Sequence, residues 1–325
     1  MAQFLVAVAD SVFPNLDPAK RVLSEIGAEL KLAADPSPES VMKVAADADA
    51  VLVTYAKING DMIRQMKKVR IISRFGIGVD NVDLDAATQK GIVVTKVPDY
   101  CIDEVSDHAM ALLLTAVRKI PLANDQVHAG TWKMPNVVPI HRLRGSVLGL
   151  VGFGRIPQLV APKAIAFGMH VVAVDPYVPP EGFSKLGVER VEFAELLKMS
   201  DYVSIHSPLT PETKGLFNAD VFRQMKKGSY IINTARGPVI DEAALAAAID
   251  SGHIAGAALD VMTNEPPVNS PLIGKRNVII TPHTSFYSEE SLVDLQTKAS
   301  QEVANVLTDK PPLNPVNPDV LQSTK

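Results

Sequence analysis

The stretch from Val147 to Asp175 restricts the fold of this chain more than any other. Apolar and small residues from Val147 to Val151 read as a buried strand that delivers Gly152 and Gly154 to a tight turn. A helical run follows, and then His170-Val171-Val172-Ala173-Val174, a second strand ending at Asp175. Strand, glycine turn, helix, strand and terminal acid within about 30 residues describe a βαβ unit of the dinucleotide-binding type. The glycines let the backbone approach a pyrophosphate, and the first turn of the helix aims its N–H groups at that anion. A carboxylate at Asp175 accepts from both ribose hydroxyls and repels a 2′-phosphate, so the unit predicts NAD rather than NADP. Two prolines depart from the pattern. Pro157 replaces the third glycine of the fingerprint, where a first helical turn needs no N–H from it, and Pro162 predicts a kink or a displaced turn inside the helix.

The same alternation of apolar runs with helical patterns fills the rest of the chain, which predicts an α/β protein with two doubly wound parallel sheets. The first sheet is read from Phe4 to Ala9, Ala50 to Tyr55, Val69 to Ser73 and Ile92 to Val97. The second begins at Val147 and continues through His170 to Val174, Tyr202 to His206, Ser229 to Asn233, Ala255 to Val261 and Val278 to Thr281. A long helix between the domains is predicted from Ile102 to Ile120, with Asp103, Glu104 and Asp107 near its start and Arg118 and Lys119 at its end, as a helix dipole favours. Another is predicted from Ser288 to Thr308, after which the chain can return to its first domain. The division is therefore residues 1–101 with 290–325 as a smaller substrate-binding domain, and 102–289 as a Rossmann NAD-binding domain. A cleft between two such domains is expected to shut against water, with hinges near Val97 to Ile102 and Ser285 to Glu290.

Composition narrows the function classes. With 47% hydrophobic and 21% charged residues among 325, the chain is an ordinary globular protein, and a net charge of -4 without lysine or arginine clusters argues against nucleic acid as a partner. A single cysteine, Cys101, cannot form an internal disulfide, no Cys/His spacing suggests a metal, and both fit a reducing cytoplasm. The N-terminal run Met1 to Asp10 lacks a basic leader and reads as the first strand, and no apolar stretch reaches the roughly 18 residues of a membrane span.

In open α/β sheets ligands bind beyond the carboxyl ends of strands, and three charged residues follow strands here. Ile231-Ile232-Asn233-Thr234-Ala235 leads to Arg236, Ala257-Ala258-Leu259-Asp260-Val261 leads to Glu265, and Val278-Ile279-Ile280-Thr281-Pro282 leads to His283. A guanidinium fork, a proton donor and an acid that keeps the donor charged are what a 2-keto acid requires. Taken singly, each residue also fits a plainer role: a surface ion pair for Arg236, a solvated loop acid for Glu265, a turn residue for His283. His108, His128, His141, His170 and His253 lack a strand-end setting and read as structural or solvent-facing.

These segments, with Ser73-Arg74-Phe75-Gly76-Ile77-Gly78-Val79-Asp80-Asn81, make the chain resemble the NAD-dependent D-2-hydroxyacid dehydrogenases over nearly its whole length. The block His283-Thr284-Ser285-Phe286-Tyr287-Ser288 resembles the C-terminal-binding-protein branch, although Phe286 stands where that branch usually has tryptophan; elsewhere the chain is similar to phosphoglycerate dehydrogenases. The resemblance implies a Rossmann domain, a flavodoxin-like substrate domain and a catalytic trio of Arg236, Glu265 and His283. It implies substrate contacts at Tyr55, Arg74, Gly76, Ile77, Gly78, Arg236 and Phe286. It implies cofactor contacts at Gly152, Gly154, Arg155, Ile156, Asp175, Pro208, Thr213, Thr234, Ala235 and Asp260, the last near the nicotinamide amide. Formate dehydrogenases, also related, carry glutamine as the partner of the histidine. The expected activity is reversible hydride transfer between NADH and a small 2-keto acid, giving a D-2-hydroxy acid. The alternative is an NAD(H)-sensing binding module like the corepressors of the same branch. A homodimer through Ile102 to Pro139, which holds Trp132, is implied in either case.

Overall fold

The computed structural model describes residues 3–322 and divides into two compact units, one made of the residues up to Tyr100 with those from Ser288 onward, the other of Cys101–Tyr287. Met1, Ala2 and residues 323–325, which belong to the domain assigned to 1–101 and 290–325, lie outside the described residues.

The first unit is built on β1 (Phe4–Val8), β2 (Ala28–Leu32), β3 (Ala50–Val53), β4 (Ile71–Arg74) and β5 (Val93–Thr95), all parallel in the order β2-β1-β3-β4-β5. That order reverses direction between β1 and β3, the switch point of a flavodoxin-like sheet. β3 and β4 are buried along their whole length, as a central parallel strand covered on both faces must be. The helix Glu289–Leu307 packs on β3 and β4, so the chain does return to its first sheet. Its start is fixed by Ser288 and Ser291, each side chain bonding the other's backbone N–H. β2 is absent from the sequence reading because it is an edge strand: Ala28-Glu29-Leu30-Lys31-Leu32 is short, polar and mostly exposed.

At the other edge the chain covers β5 with its own C-terminal segment. The Val316 N–H donates to the Val94 carbonyl, and the buried Asn317 amide accepts from the Val94 N–H at 2.8 Å while donating to Ile92 O and Thr88 Oγ1. One side chain thus closes an edge that would otherwise expose unpaired backbone groups.

The second unit contains β6 (Val147–Val151), β7 (His170–Val174), β8 (Glu189–Arg190), β9 (Tyr202–Ile205), β10 (Ser229–Asn233), β11 (Ile254–Leu259) and β12 (Val278–Ile280). All are parallel in the order β12-β11-β10-β9-β6-β7-β8, a Rossmann arrangement whose switch point falls between β6 and β9. The fingerprint helix spans Arg155–Ala166; Pro157 occupies its third position and is buried, and the chain stays helical through Pro162. The helix expected from Ile102 to Ile120 covers Ile102–Val117 instead. Pro121 cannot extend a helix behind it, so the chain resets through Lys119 at φ 53 and starts a new helix, Ile120–His128. Both the long helix and its neighbour Arg155–Ala166 belong to the second unit, where the long helix lies on β10, β11 and β12.

Replacing Asn317 with alanine leaves the Val94 N–H and the Ile92 carbonyl without their partner. Asn317→Ala is expected to lower stability by about 1–3 kcal/mol, with faster hydrogen exchange at the Val94 amide; exchange no faster than in the parent would contradict the clasp.

Candidate active site

Three neighbouring strands bring the predicted trio to one edge of the second sheet. Asn233 at the end of β10 is in register with Leu259 at the end of β11, which is in register with Ile280 at the end of β12, so the loops that follow leave from one level. Two of the loops are shaped by a buried polar side chain. Asn233 accepts from the Ala235 N–H and donates to the Arg236 carbonyl, both at 2.9 Å, folding the turn that presents Arg236. Next comes Gly237, where a Cβ would fall 1.9 Å from the Met262 carbonyl carbon; only glycine lets the Arg236 turn pack against the start of the Glu265 loop.

Asp260 organises the third loop. Its carboxylate, fully enclosed, accepts from Thr281 Oγ1 at 2.5 Å and from the N–H groups of Thr284 and Ser285, each at 2.9 Å, while its carbonyl accepts the His283 N–H at 2.8 Å. These bonds hold His283 at φ 53, a left-handed conformation that few side chains adopt. His108, read from sequence as structural or solvent-facing, completes the network, its Nε2 lying 3.0 Å from Thr281 Oγ1. Since that hydroxyl gives its proton to Asp260, His108 Nε2 is the donor.

Glu265 Oε2 lies 2.7 Å from His283 Nδ1, and Glu265 Oε1 accepts the Met262 N–H at 3.0 Å. Burial pushes the Glu265 carboxyl up, but the His283 hydrogen bond and charge, the Met262 N–H and the Arg236 charge outweigh it and hold the group below its ordinary 4.5. An ionised carboxylate can only accept, so His283 Nδ1 carries the proton of the shared bond. Phe286 stands edge-on to the imidazole, ring centroids 6.2 Å apart.

The dinucleotide features of the second unit lie at its switch point. Gly152 has φ 92, and a Cβ there would sit 2.9 Å from the His206 carbonyl carbon at the end of β9. A Cβ on Gly154 would meet no protein atom, and no side chain caps the helix that begins at Arg155, so open space faces the N–H groups of Arg155 and Ile156. Asp175 accepts from the Phe153 N–H at 2.7 Å and the Tyr177 N–H at 2.8 Å, and its remaining lone pairs can take ribose hydroxyls. The hydroxyls of Thr234 and Ser207 are buried with no hydrogen-bond partner in the protein. A turn open at Gly154 and the orphaned hydroxyl of Ser207, whose backbone lies against Gly152, fit a bound dinucleotide. Two residues assigned to the cofactor are engaged within the protein: the Asp260 carboxylate as above, and Thr213, whose hydroxyl donates to the Pro208 carbonyl at 2.6 Å and accepts the Thr210 N–H at 2.8 Å. Ala235 follows Thr234 in the Arg236 turn.

Sequence reasoning passed over His206. Its Nε2 lies 2.8 Å from Ser204 Oγ, and burial of the ring pushes its pKa down to about 3, so this histidine is neutral. Only its place at the end of β9, across the switch point from the fingerprint, could have marked it.

The remaining predicted residues belong to the first unit. Asp10, just beyond β1, accepts from the N–H groups of Thr54 and Tyr55 at 2.8 and 2.6 Å, and Asn81 Nδ2 donates to the carbonyls of Thr54 and Ala56. Tyr55 is thereby fixed at the β1/β3 switch point. The Arg74 guanidinium lies 5.9 Å from the centre of its ring and occupies the space that a Gly76 side chain would need. Ile77 and Gly78 continue that loop.

Two outcomes follow from the geometry. Because Glu265 is held below its ordinary value of 4.5, its contribution to stability is full above that value and is lost as pH falls through the depressed one; the melting-temperature gap between the parent and Glu265→Gln is expected to close as the pH is lowered through that range. Gly237→Ala forces the Arg236 turn off the Glu265 loop and is expected to cost about 1–3 kcal/mol of stability; an unchanged melting temperature would show that the two loops are not packed as described.

Residues 110–285 match the family described as D-isomer specific 2-hydroxyacid dehydrogenase, NAD binding domain. The chain is similar to D-3-phosphoglycerate dehydrogenase of Methanocaldococcus jannaschii, 39% identical over 306 residues that cover 94% of this chain and 58% of the relative. The chain therefore spans little more than half the length of this relative. Among solved structures it is similar to a glyoxylate reductase from Paecilomyes thermophila, with TM-score 0.89 and 27% identity over 98% of this chain and 100% of the other. It is also similar to D-lactate dehydrogenase from Aquifex aeolicus complexed with NAD and lactic acid, with TM-score 0.85 and 27% identity over 98% of each chain. The chain belongs to the D-isomer specific 2-hydroxyacid dehydrogenase family.

Proposed function

We propose that the chain is an NAD-dependent oxidoreductase that reduces a small 2-keto acid to a D-2-hydroxy acid, and the reverse. The observation that carries this reading is the 2.7 Å pair of Glu265 and His283, set beside the charge of Arg236 at the level where β10, β11 and β12 end. Bound at the fingerprint, NADH supplies the hydride that reaches C2 of the substrate. The protein handles the proton and the charges. Glu265 holds Nδ1, so the proton that reaches the carbonyl oxygen comes from His283 Nε2. Arg236 carries the guanidinium fork that takes the substrate carboxylate and draws charge toward the oxygen as it develops. After transfer the imidazole is neutral, and a proton from solvent restores it. In the reverse direction the same Nε2 takes the hydroxyl proton while hydride leaves C2.

Of the aromatic groups assigned to the substrate, Phe286 stands beside His283, and Tyr55 has Arg74 against its ring. The apolar ring of Phe286 accepts an alkyl substituent, each buried methylene contributing about 0.8 kcal/mol, and disfavours a phosphate by desolvation. The partner is a second copy of this chain. The segment assigned to the interface carries Trp132 at 87% exposure and Met134 at 70%, with Ile120, Val127 and Val138 about half exposed. No helix among the described residues is long and apolar enough to cross a membrane, and the buried lone Cys101 fits a reducing cytoplasm.

His283→Ala is expected to lower kcat by about 100-fold to 10,000-fold while NADH binding, followed by fluorescence titration, barely changes. Near-normal turnover would remove His283 from the reaction. In a panel of 2-keto acids with NADH, glyoxylate, pyruvate and longer alkyl analogues are expected to exceed phosphohydroxypyruvate in kcat/KM at equal ionic strength. A tenfold preference for phosphohydroxypyruvate would replace this substrate class with the one named by the phosphoglycerate dehydrogenases. Asp175→Ala is expected to narrow the preference for NADH over NADPH, and a parent that already prefers NADPH would overturn the reading of Asp175.

A further inference from the structure

We infer that Glu242 is a positioning residue for the proton-delivering pair, holding the Glu265 loop in place; this rests on the reading of Glu265 and His283 as that pair. Glu242 opens the helix Glu242–Asp250. The first-turn N–H groups of Ala243 and Ala244 are taken by the Asp241 side chain, so Glu242 is not needed as a cap and its carboxylate reaches away from the helix. It accepts from the Thr263 N–H at 2.6 Å and from the Ser270 hydroxyl at 2.5 Å. These donors bracket Glu265 on both sides. The N–H just before Thr263, that of Met262, donates to Glu265 itself, so two successive backbone donors are divided between two carboxylates.

The loop is anchored at its ends, where Met262 and Leu272 are buried in the core, and Glu242 holds the stretch between them. A groove of about 440 Å³ is lined by Thr263, Asn264 and Ser270 of this loop together with residues of the segment 238–243, Glu242 among them. Val268 at its tip is 70% exposed. A loop with few buried contacts is fixed by its hydrogen bonds, and those to an ionised carboxylate are the strong kind. The same stretch of chain that presents Arg236 ends at Glu242. It grips the Glu265 loop at two points, through the close packing of Gly237 on Met262 and through the Glu242 carboxylate. Arg236 and Glu265 are thus held to one frame. A displacement of about 1 Å at a reacting group costs on the order of 100-fold in rate, so a loosened loop is readable in turnover.

The experiment compares the parent, Glu242→Ala, Glu242→Gln, Glu265→Gln and the double variant Glu242→Ala/Glu265→Gln, using glyoxylate and NADH as the probe pair. The readouts are the pH profile of kcat, KM for glyoxylate and the melting temperature. Glu242→Ala is expected to lower kcat by about tenfold or more and to move the alkaline limb of the profile to lower pH, the direction expected of Glu265→Gln, because a displaced carboxylate no longer favours the imidazolium. On the Glu265→Gln background it is expected to add no further movement of that limb. Glu242→Gln keeps the shape and one acceptor oxygen, so it falls between the parent and Glu242→Ala; it carries the same comparison if the alanine variant does not fold. A Glu242 variant that melts earlier but keeps the parent's limb would overturn the inference, as would a limb that moves equally on both backgrounds. If Glu265→Gln alone leaves the limb unmoved, the reading of the pair falls first and takes the inference with it.

Discussion

The enclosed carboxylate of Asp260 is the group on which the candidate site depends. A buried negative charge is tolerated only when donors surround it, and here a hydroxyl and two backbone N–H groups from residues 281–285 do so. The arrangement works in both directions. The loop satisfies the charge, and the charge imposes on His283 a backbone conformation that the sequence around it would not choose. A histidine held by its backbone, with Nδ1 occupied by Glu265, has little freedom left in where Nε2 points. Precision in placing a proton donor is thus obtained from an acid that, buried as it is, acts through the histidine loop.

The carboxylates that shape the loops at strand ends act mainly on backbone. Asp10 fixes the Tyr55 turn, Asp175 closes the fingerprint turn, Asp260 shapes the histidine loop and Glu242 grips the Glu265 loop. Each sits at or after the end of a strand or at a helix start, where a parallel sheet leaves N–H groups without partners and where loops must be rigid to hold a site. Parallel sheets concentrate function at one edge, and acids are the side chains that can accept several N–H groups there at once.

Much of this was legible in the amino-acid order, because a buried parallel strand has to be apolar throughout and a charged residue after such a strand stands out. His170 to Val174 and Ser229 to Asn233 were read at the bounds the structure gives, and Arg236, Glu265 and His283 were found by their places after strands. β2 and β8 escaped because edge strands are short and rich in charge, half polar in β2 and wholly so in β8, so that neither alternation nor an apolar run marks them. The break at Lys119 was missed for a different reason: the apolar pattern continues across it, and only the proline two residues on carries the signal. His206, His108 and Glu242 were invisible as site residues because their roles come from partners elsewhere in the chain, 21 and 28 residues away for Glu242 and 173 for His108, with Gly152 the partner of His206, which no local pattern encodes. The likeness of residues 283–288 to one branch of the family is local, whereas similarity along most of the chain extends to phosphoglycerate dehydrogenase.

The clasp of Asn317 on β5, together with the helix Glu289–Leu307 on β3 and β4, bears on the order in which the protein is made. Its first hundred residues leave the ribosome without the helix that covers their central strands and without the residue that seals their edge. Residues 101–287 carry a complete sheet with its own helices and can close as soon as they emerge. The N-terminal sheet therefore waits, with Leu52 and Ile71 on the face of that helix unshielded, until some 190 further residues have been added. During that interval it is the part of the nascent chain most in need of a chaperone.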